Sequence, residues 1–400
     1  MISVAAARES IVRSLPVTGP EVTPVTASLG RVISADIVAR LSHPAADVSA
    51  MDGYAVRSDD ATLGATLTQV GESAAGHPWT GTIRSKECVR IFTGAYVPAG
   101  ADAIVIQEDT TANGVSITIN ESAVRGRHIR AEGQDFKSGE IVLRAPRRIS
   151  FRDVGLIAAM NVPWVAVRRR PRVAILSTGD EVRMPGEAIG KGQLASANGP
   201  GLAAFIEAHG GEPTHLGTAS DDAASLLALA DTAGAADLIV TSGGVSVGDH
   251  DLIGRVLGDA GLDVTFHKIA MRPGKPLMFG RFKNTPFLGL PGNPVSAMVC
   301  AILFLGPALA RLQGLSGDAP ETVPAIAGVA IKANDKREDY LRASLSRRGD
   351  GALVATPFGK QDSAMIRALA EADGLIVRPP HAPEVKPGDS VHVIRLNDGR

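Results

Sequence analysis

Two proline-flanked glycine turns in the segment Lys268–Leu305 carry side chains that are well suited to bind an anion. The first turn, Arg272-Pro273-Gly274-Lys275-Pro276, holds two cations, and the second, residues 290–294, leads into a long apolar helix. Proline fixes φ and glycine permits a turn without strain, so both turns are expected to be rigid. The N-terminus of a helix exposes free N–H groups and the positive end of its dipole, which favour a phosphate or another oxyanion. An ordinary strand–loop–helix crossover with surface charges would show the same pattern.

Five loops between residues 173 and 305 end in glycine with serine or threonine, or in a carboxylate. Strands alternate here with helices of about ten residues, which predicts right-handed crossovers and a mainly parallel sheet. In such sheets the loops that leave the carboxyl ends of the strands gather in one ligand crevice. The candidates brought together in this way are Thr178, Glu181, Asp221, Asp222, Ser242, Gly243, Gly244, Asp249, Asp251, Lys275 and Asn293. Plain structural interpretations also exist, since Ser242-Gly243-Gly244 fits a flexible turn and Asp221-Asp222 fits a helix N-cap.

This set of side chains favours phosphoryl chemistry. Glycine-rich N–H groups and cations suit phosphates, and neighbouring carboxylates suit a Mg²⁺ ion that bridges those phosphates. The sequence contains no CxxC pair, no HExxH and no GxxxxGK[ST], which counts against zinc and an ordinary NTPase. The sequence therefore predicts a transferase or hydrolase that acts at a phosphoryl or oxyanion centre.

Three further polar residues lie outside this crevice but have a similar character. Asp52 stands beside Gly53, Thr93 lies in a threonine–glycine turn at the end of a strand, and Asp135 follows a glycine turn. We expect a tight turn that carries a carboxylate at Asp52, and an ordinary β-turn aspartate is the preferred explanation of that short motif taken alone.

The bulk composition limits the partners and the compartment. The 400 residues carry 41 Lys+Arg and 42 Asp+Glu for a net charge of −1, which argues against nucleic acid as a partner. Two distant cysteines, Cys88 and Cys300, do not support a disulfide framework and suit a reducing cytoplasm. The N-terminus contains Glu9 and lacks the apolar core of a signal peptide. The longest apolar run, Val295–Leu305, is expected to be too short to span a membrane.

The remaining patterns predict a multidomain chain of α/β plus β type. Residues 3–15 have the spacing of an amphipathic helix, residues 60–145 read as all-β, and Ser150 with Asp153 forms an acidic capping box. From Gly317 onward, five short strands and one helix of about nine residues predict a small closed β-barrel. The arginine-rich run at residues 168–172 is expected to be a linker, with a polyanion patch as the alternative.

Seven motifs that follow one another along nearly the whole chain resemble the molybdopterin molybdenumtransferase family, the MoeA/gephyrin E-domain group. They are SAMDGYAV (49–56), FTGA with PAGADAIVIQED (92–109), EGQDFKSGE (132–140), AILSTGDE (174–181), TSGGVSVGDHD (241–251), RPGKPLMFG (272–280) and LPGNPVSA (290–297). The resemblance implies a central three-layer α/β domain with a mainly parallel sheet, similar to MoaB/MogA, together with a β-rich inserted lobe, a helical linking domain and a C-terminal β-barrel.

The domain limits implied by this resemblance are discontinuous in the first part of the chain. Linking domain I comprises residues 1–20, 40–50 and 135–167, and the β-rich lobe II comprises 21–39 and 51–134. The α/β molybdopterin-binding domain III is residues 168–316, and the β-barrel domain IV is residues 317–400.

The family resemblance also implies an activity and partners. A member of this family inserts molybdate into adenylylated molybdopterin with Mg²⁺, releases AMP and forms the molybdenum cofactor. It acts as a homodimer whose site lies between the α/β domain of one subunit and the β-rich lobe of the other. A molybdopterin adenylyltransferase is the expected upstream partner, with neither nucleic acid nor membrane involved.

In this family, the positions that match ten residues are implicated in activity or binding: Asp52, Thr93, Asp135, Glu181, Asp222, Asp251, Arg272, Lys275, Pro291 and Pro294. We assign the first six to catalysis, with Glu181 and Asp251 as Mg²⁺ ligands. The other four are assigned to substrate binding, together with Thr178, Asp221, Ser242, Gly243, Gly244, Gly292 and Asn293. Both Asp221 and Asp222 remain candidates for one role.

The chain departs from the family pattern at three positions. Arg272 stands where lysine is usual, Tyr96 where proline is common, and Asp249 where glutamate is common. Arginine keeps the charge but offers a planar fork in place of a point donor, so the placement of molybdate is expected to differ. Tungstate is also a tetrahedral dianion, and the sequence does not distinguish it from molybdate or identify the enzyme that receives the cofactor.

Two other classes of function compete with this interpretation. A pure binding scaffold would not need the acidic set, and Asp52, Glu181, Asp222 and Asp251 are all present. An adenylyltransferase or nucleotide pyrophosphatase would need the α/β module alone, whereas this chain adds a β-rich lobe and a barrel.

Overall fold

A computed structural model describes residues 1–219, 223–244 and 252–396 of the chain. The chain divides into two compact units. Residues 22–167 form one of them, the β-rich unit, and residues 1–21 with 168–400 form the other, the α/β–barrel unit. The finer domain limits given above stay predictions.

The β-rich unit is built from short strands and one helix. After helix α1 (Val4–Ser14) of the other unit, its strands are β1 (Pro20–Pro24), β2 (Val32–Ile33), β3 (Ile37–Val38), β4 (Val48–Ser49), β5 (Gly53–Val56), β6 (Thr66–Ser73), β7 (Glu87–Ile91), β8 (Ala103–Ile106), β9 (Thr110–Asn113), β10 (Ser116–Ile119), β11 (Ile129–Arg130), β12 (Ile141–Leu143), β13 (Arg147–Arg148) and β14 (Trp164–Arg168). Helix α2 (Phe151–Ala159) begins with the predicted capping box, because Ser150 Oγ accepts from Asp153 N while the Asp153 carboxylate accepts from Ser150 N. The unit therefore has the all-β character, with one helix, that the sequence predicts.

A six-stranded sheet in the order β8-β5-β7-β6-β10-β9 dominates this unit. The central strand β5 pairs antiparallel with both β7 and β8, and Gly53 lies opposite Ile91 and Ile106. A Cβ on Gly53 would lie 2.0 Å from the carbonyl oxygen of Val105. Glycine is therefore required by the close approach of β8 at the start of a strand, and not by the tight turn that the sequence suggested.

The α/β–barrel unit contains the mainly parallel sheet. Its first part comprises β15 (Arg172–Thr178), β16 (Val182–Arg183), β17 (Leu194–Ala195), α3 (Asn198–Ala208), β18 (Glu212–Ala219), α4 (Ala223–Thr232), β19 (Leu238–Ser242), α5 (Leu252–Asp259), β20 (Leu262–Phe266), β21 (Met271–Arg272), β22 (Met278–Phe282), β23 (Thr285–Leu290), α6 (Pro294–Cys300) and α7 (Gly306–Leu312). The sheet order is β18-β15-β19-β23-β22-β20, in which β18, β15, β19 and β23 are parallel. The hairpin β22–β23 and strand β20 add the antiparallel edge.

Helices cover both faces of this sheet. Because successive side chains of a strand point to opposite faces, Val173 and Ile175 pack against α1, α3, α6 and α7, while Ala174 and Leu176 pack against α4 and α5. Both faces are buried, which explains the nearly continuous apolar strands. The predicted three-layer α/β domain is confirmed.

The C-terminal region is a closed barrel. It consists of β24 (Thr322–Ala327), β25 (Glu338–Arg347), β26 (Leu353–Pro357), α8 (Ile366–Ala370), β27 (Gly374–Arg378) and β28 (Ser390–Arg395). The order β25-β26-β24-β28-β27 closes through an additional β25–β27 pairing, as predicted. Strand β21 is not one of the five strands that close the barrel, but it pairs in parallel with β25. This pairing connects the predicted anion-binding turn at residues 272–276 to the barrel.

The longest helix of the described residues, Pro294–Leu312, runs through the core. It consists of α6 and α7 joined by one π-helical stretch, Ala301–Leu305. With 19 residues and a mean hydropathy of 2.0, it is long and apolar enough to cross a membrane, so the expectation of a shorter segment was wrong. However, 78% of it is buried inside the protein, where it packs with α1 and the sheet. Its hydrophobicity is explained by this core position.

Candidate active site

The carboxyl edge of the parallel sheet brings three predicted loops together. Strand pairing places Ser177 opposite Ser242, and Ser242 opposite Leu290. The residues that follow these strands therefore leave the sheet side by side, as parallel strands require.

Two glycines of the loop after β19 close over Thr178. Gly243 and Gly244 have φ of +91° and +67°, a region that L side chains rarely adopt. A Cβ on Gly243 would lie 2.9 Å from Thr178 Oγ1, and a Cβ on Gly244 would lie 2.8 Å from the same oxygen. Thr178 is buried, and its Oγ1 has no hydrogen-bond partner among the described residues. The loop thus presents a buried hydroxyl beneath a side-chain-free stretch of backbone.

Asn198, at the start of α3, ties two of these loops together. Its Nδ2 donates to Ser242 Oγ and to the carbonyl oxygen of Gly292, both at 2.7 Å. The Asn198 Oδ1 atom is buried and has no partner among the residues that the structure describes. Sequence analysis did not single out Asn198, which lies two positions before Pro200. The Asn-Gly pair just before that proline was the available signal.

The barrel contributes a loop to the same region. Asn293 Nδ2 donates to Ser363 Oγ at 3.0 Å, and Val295 N donates to the Ser363 carbonyl oxygen at 3.1 Å. The first turn of α6 is thus already paired with Ser363, which limits the free N–H groups that the sequence suggested for an anion. Arg342 also fixes the loop that contains Ser363, because its Nη1 donates to the Asp362 carbonyl oxygen at 2.8 Å.

The two predicted cations differ in their surroundings. Lys275 is exposed and forms no ion pair with a described residue. Arg272 lies on β21, and its guanidinium forms a two-point ion pair with Asp339 of β25. Of the two cations, Lys275 is therefore the one that forms no ion pair within the described part of the chain.

Glu181 is the member of the predicted Mg²⁺ pair that falls within the described residues. Its carboxylate folds back over Gly179, whose φ is +126°, so that a Cβ there would lie 2.7 Å from Glu181 Oε2. Mg²⁺ is commonly bound through one or two carboxylates plus substrate phosphates, so this exposed group fits such an ion. Asp221, Asp222, Asp249 and Asp251 lie outside the described residues. Within the described ranges, no group of three or more His, Cys, Asp or Glu side chains could hold a metal.

A second cluster lies in the β-rich unit around Asp52. Because Gly53 and Ile91 are paired, the residue before β5 meets the residues just after β7. Asp52 Oδ1 accepts hydrogen bonds from Thr93 N at 2.7 Å and from Thr93 Oγ1 at 2.8 Å. Both side chains are exposed. The structure brings these two predicted residues together, as their shared role would require.

The electrostatics of this cluster keep Asp52 ionised. The backbone N–H of Thr93, followed by its hydroxyl, lowers the pKa of Asp52 below its ordinary value, and the charge of Arg90 acts in the same direction. Arg90 itself is fixed, because it donates to the Gly53 carbonyl oxygen at 3.0 Å and to Gln107 Oε1 at 2.7 Å. Its guanidinium also lies 4.9 Å from the centre of the Phe92 ring. Sequence analysis did not single out Arg90.

Asp135 is anchored in a separate part of the same unit. Its backbone N–H donates to the His43 carbonyl oxygen, and the neighbouring Phe136 stacks on the His43 ring. Its exposed side chain forms no hydrogen bond with Asp52 or Thr93 in the described structure.

Replacement of Thr93 by valine is expected to raise the pKa of Asp52. The variant removes one of the two hydrogen bonds that stabilise the carboxylate and leaves the backbone N–H in place. Since the pKa of Asp52 is depressed in the wild type, its protonation should begin at a higher pH in Thr93→Val. The pH titration of the Asp52 carboxyl carbon by NMR measures this shift. Thr93→Ser retains the hydroxyl and should titrate like the wild type; equal titration of all three proteins would contradict the assignment.

Comparison with known families places the α/β sheet region of the chain in the class of probable molybdopterin binding domains. Residues 174–311 match the family model described as a probable molybdopterin binding domain. Residues 2–161 match the MoeA N-terminal region (domain I and II), and residues 324–396 match the MoeA C-terminal region (domain IV). The chain belongs to the MoeA family of molybdopterin molybdenumtransferases, which are enzymes of molybdenum cofactor biosynthesis.

Individual relatives extend over nearly the whole chain. A molybdopterin molybdenumtransferase of Haemophilus influenzae is 35% identical and covers 99% of both chains. Molybdopterin molybdenumtransferase 2 of Mycobacterium tuberculosis is 37% identical and covers 94% of both. The crystal structure of a molybdopterin biosynthesis MoeA protein from Pyrococcus horikosii superposes with a TM-score of 0.86 at 30% identity and covers both chains completely.

Proposed function

We propose that this chain inserts molybdate into adenylylated molybdopterin in a Mg²⁺-dependent reaction that releases AMP. The observation that carries the proposal is the built edge of the α/β sheet, where Thr178 lies under Gly243 and Gly244 and Asn198 links Ser242 to Gly292. This edge lies within the part of the chain that matches a molybdopterin-binding model.

Different residues of this edge are assigned to the pterin phosphate, to molybdate and to Mg²⁺. The side-chain-free backbone at Gly243 and Gly244, with the buried Thr178 hydroxyl, suits the phosphate of the pterin substrate. Lys275, which forms no ion pair with a described residue, would supply a positive charge for an oxyanion such as molybdate. Glu181, with Asp251, would hold Mg²⁺, which when bound would neutralise charge on the phosphate oxygens.

Asp52 is assigned to the chemical step as an ionised carboxylate. Its depressed pKa keeps it negatively charged at neutral pH, and Thr93 fixes its orientation through two hydrogen bonds. We further propose that the chain acts as a homodimer in the cytoplasm, with Asp52 of one subunit serving the α/β domain of the other. A molybdopterin adenylyltransferase would supply the substrate. The two cysteines are free and buried, which suits a reducing compartment.

The proposed activity is tested by supplying the purified protein with adenylylated molybdopterin and Mg²⁺, with and without molybdate. We expect both AMP release and cofactor formation to depend on molybdate. Chromatography of the nucleotide measures AMP release, and reconstitution of a cofactor-free molybdenum enzyme measures cofactor formation. Equal AMP release from adenylylated molybdopterin with and without molybdate would instead indicate a nucleotide pyrophosphatase. Absence of any molybdate-dependent turnover would contradict the proposal.

A further inference from the structure

The ion pair between Arg272 and Asp339 fixes the one cation that departs from the family pattern. The two residues face each other across the parallel pairing of β21 and β25. Arg272 Nε donates to Asp339 Oδ1 at 3.0 Å, and Arg272 Nη2 donates to Asp339 Oδ2 at 2.5 Å. The Asp339 side chain is 6% exposed, whereas that of Arg272 is 49% exposed. A buried carboxylate on the barrel thus holds an exposed guanidinium on the anion-binding turn.

This geometry determines which edge of the guanidinium is available. A guanidinium carries its five N–H donors in a fixed plane, and the pairing with Asp339 uses the edge formed by Nε and Nη2. The Nη1 group lies on the opposite side and keeps both of its N–H donors. It forms no hydrogen bond to a described residue. Arg272 therefore offers a directed pair of donors instead of a freely rotating charge.

Lysine could not be oriented in the same way. Its ammonium group is a point donor on a flexible chain, so one contact with Asp339 would leave its remaining N–H groups without a fixed direction. The arginine of this chain and the buried Asp339 therefore form a matched pair. Arg337 and Arg378 also interact electrostatically with Asp339, so that its charge retains partners when Arg272 is changed.

We propose that Asp339 is a positioning residue that orients Arg272 so that its Nη1 edge binds the oxyanion substrate. This inference rests on the proposed function, in which that oxyanion is molybdate. Asp339 does not itself touch the substrate and acts through Arg272.

The test is the steady-state kinetics of Asp339→Asn with molybdate as the varied substrate. Loss of a charge-assisted, two-point contact should raise KM for molybdate about tenfold, with kcat changed by less than about threefold. In an Arg272→Ala background the same substitution should have no further effect on KM, because the residue through which it acts is gone. The matched control is Asp350→Asn, which removes an exposed carboxylate that pairs with Arg348 on the same barrel. It should leave KM unchanged.

Each outcome decides the inference. An unchanged KM in Asp339→Asn, an equal rise in Asp350→Asn, or an undiminished effect in the Arg272→Ala background would overturn the inference. The last result would indicate a general loss of structure. Circular dichroism checks the fold of each variant. If Asp339→Asn does not fold, Arg272→Lys replaces it: a KM raised about tenfold supports the orientation by the fork, and a wild-type KM overturns it. Wild-type protein without molybdate-dependent turnover would defeat the proposed function and this inference together, whereas normal wild-type turnover with unaffected variants defeats the inference alone.

Discussion

Asp52→Ala and Lys275→Ala should each be nearly inactive, yet mixed dimers of the two variants should regain activity. Asp52 belongs to the β-rich unit and Lys275 to the α/β–barrel unit. If each site combines Asp52 of one subunit with Lys275 of the other, a mixed dimer contains one site with both defects and one intact site. Each single variant should lose about a hundredfold or more in kcat, as expected for a group that takes part in the chemical step or in charge stabilisation.

The activity expected for the mixture of the two variants can be calculated relative to the wild type. Random pairing of equal amounts makes half of the dimers mixed, and each of these has one working site, so the mixture should reach about a quarter of the wild-type activity. Co-expression with two different affinity tags isolates the mixed dimers for the measurement. Asp52 and Lys275 are both exposed, so both variants should stay folded, which circular dichroism checks.

A matched pair of variants controls this experiment. Asp52 and Thr93 contact each other in one β-rich unit. In a mixed dimer of Asp52→Ala and Thr93→Ala, every site therefore keeps one defect, and no recovery is expected. Isolated mixed dimers of Asp52→Ala and Lys275→Ala that stay inactive would show that both groups come from one subunit. A monomeric protein in light scattering would contradict the shared site directly.

Local sequence signals predicted much of the fold because their causes are local. The capping box of Ser150 and Asp153 depends on two residues that are three positions apart, and the structure contains both of its hydrogen bonds. The five short strands predicted from Gly317 onward are all present. Alternation of strands and helices was sufficient to predict the mainly parallel sheet, since short crossovers leave few other topologies.

The contacts that build the candidate site are distant in sequence, which is why periodicity did not reveal them. Asn198 reaches Ser242 and Gly292 across 44 and 94 positions, and Arg272 reaches Asp339 across 67. No local pattern encodes such a partner. The sequence indicated a cation at Arg272, but its pairing partner depends on the register of β21 with β25.

Gly53 shows how one residue type can be assigned the wrong physical cause. Glycine beside aspartate is typical of turns, and the sequence analysis adopted that explanation. In the structure the missing side chain instead allows the backbone of β8 to approach. Both causes select glycine, so the residue type alone could not separate them.

Gly243→Ala should weaken binding of the pterin substrate strongly while the protein stays folded. The substitution has two costs. At φ of +91° an alanine is strained by about 1–2 kcal/mol, and its Cβ would meet both Thr178 O and Thr178 Oγ1 at 2.9 Å. Since the first of these atoms is backbone, the contact is relieved by a shift of the loop after β19. A displacement of about 1 Å in a positioning element can cost about a hundredfold in rate, so kcat/KM for adenylylated molybdopterin should fall by about that factor.

Gly186→Ala separates the two costs. Gly186 lies in the same unit and has a similar φ of +96°, but a Cβ there would meet nothing within 4 Å. Both variants should therefore show a comparable loss of stability from backbone strain in thermal unfolding. Only Gly243→Ala should lose substrate affinity, measured by the kinetics and by direct titration with the pterin substrate. If Gly186→Ala loses as much kcat/KM, strain alone explains the effect, and if Gly243→Ala keeps its affinity, the substrate phosphate does not lie against this loop. Either result would argue against a pterin phosphate bound at the backbone over Thr178.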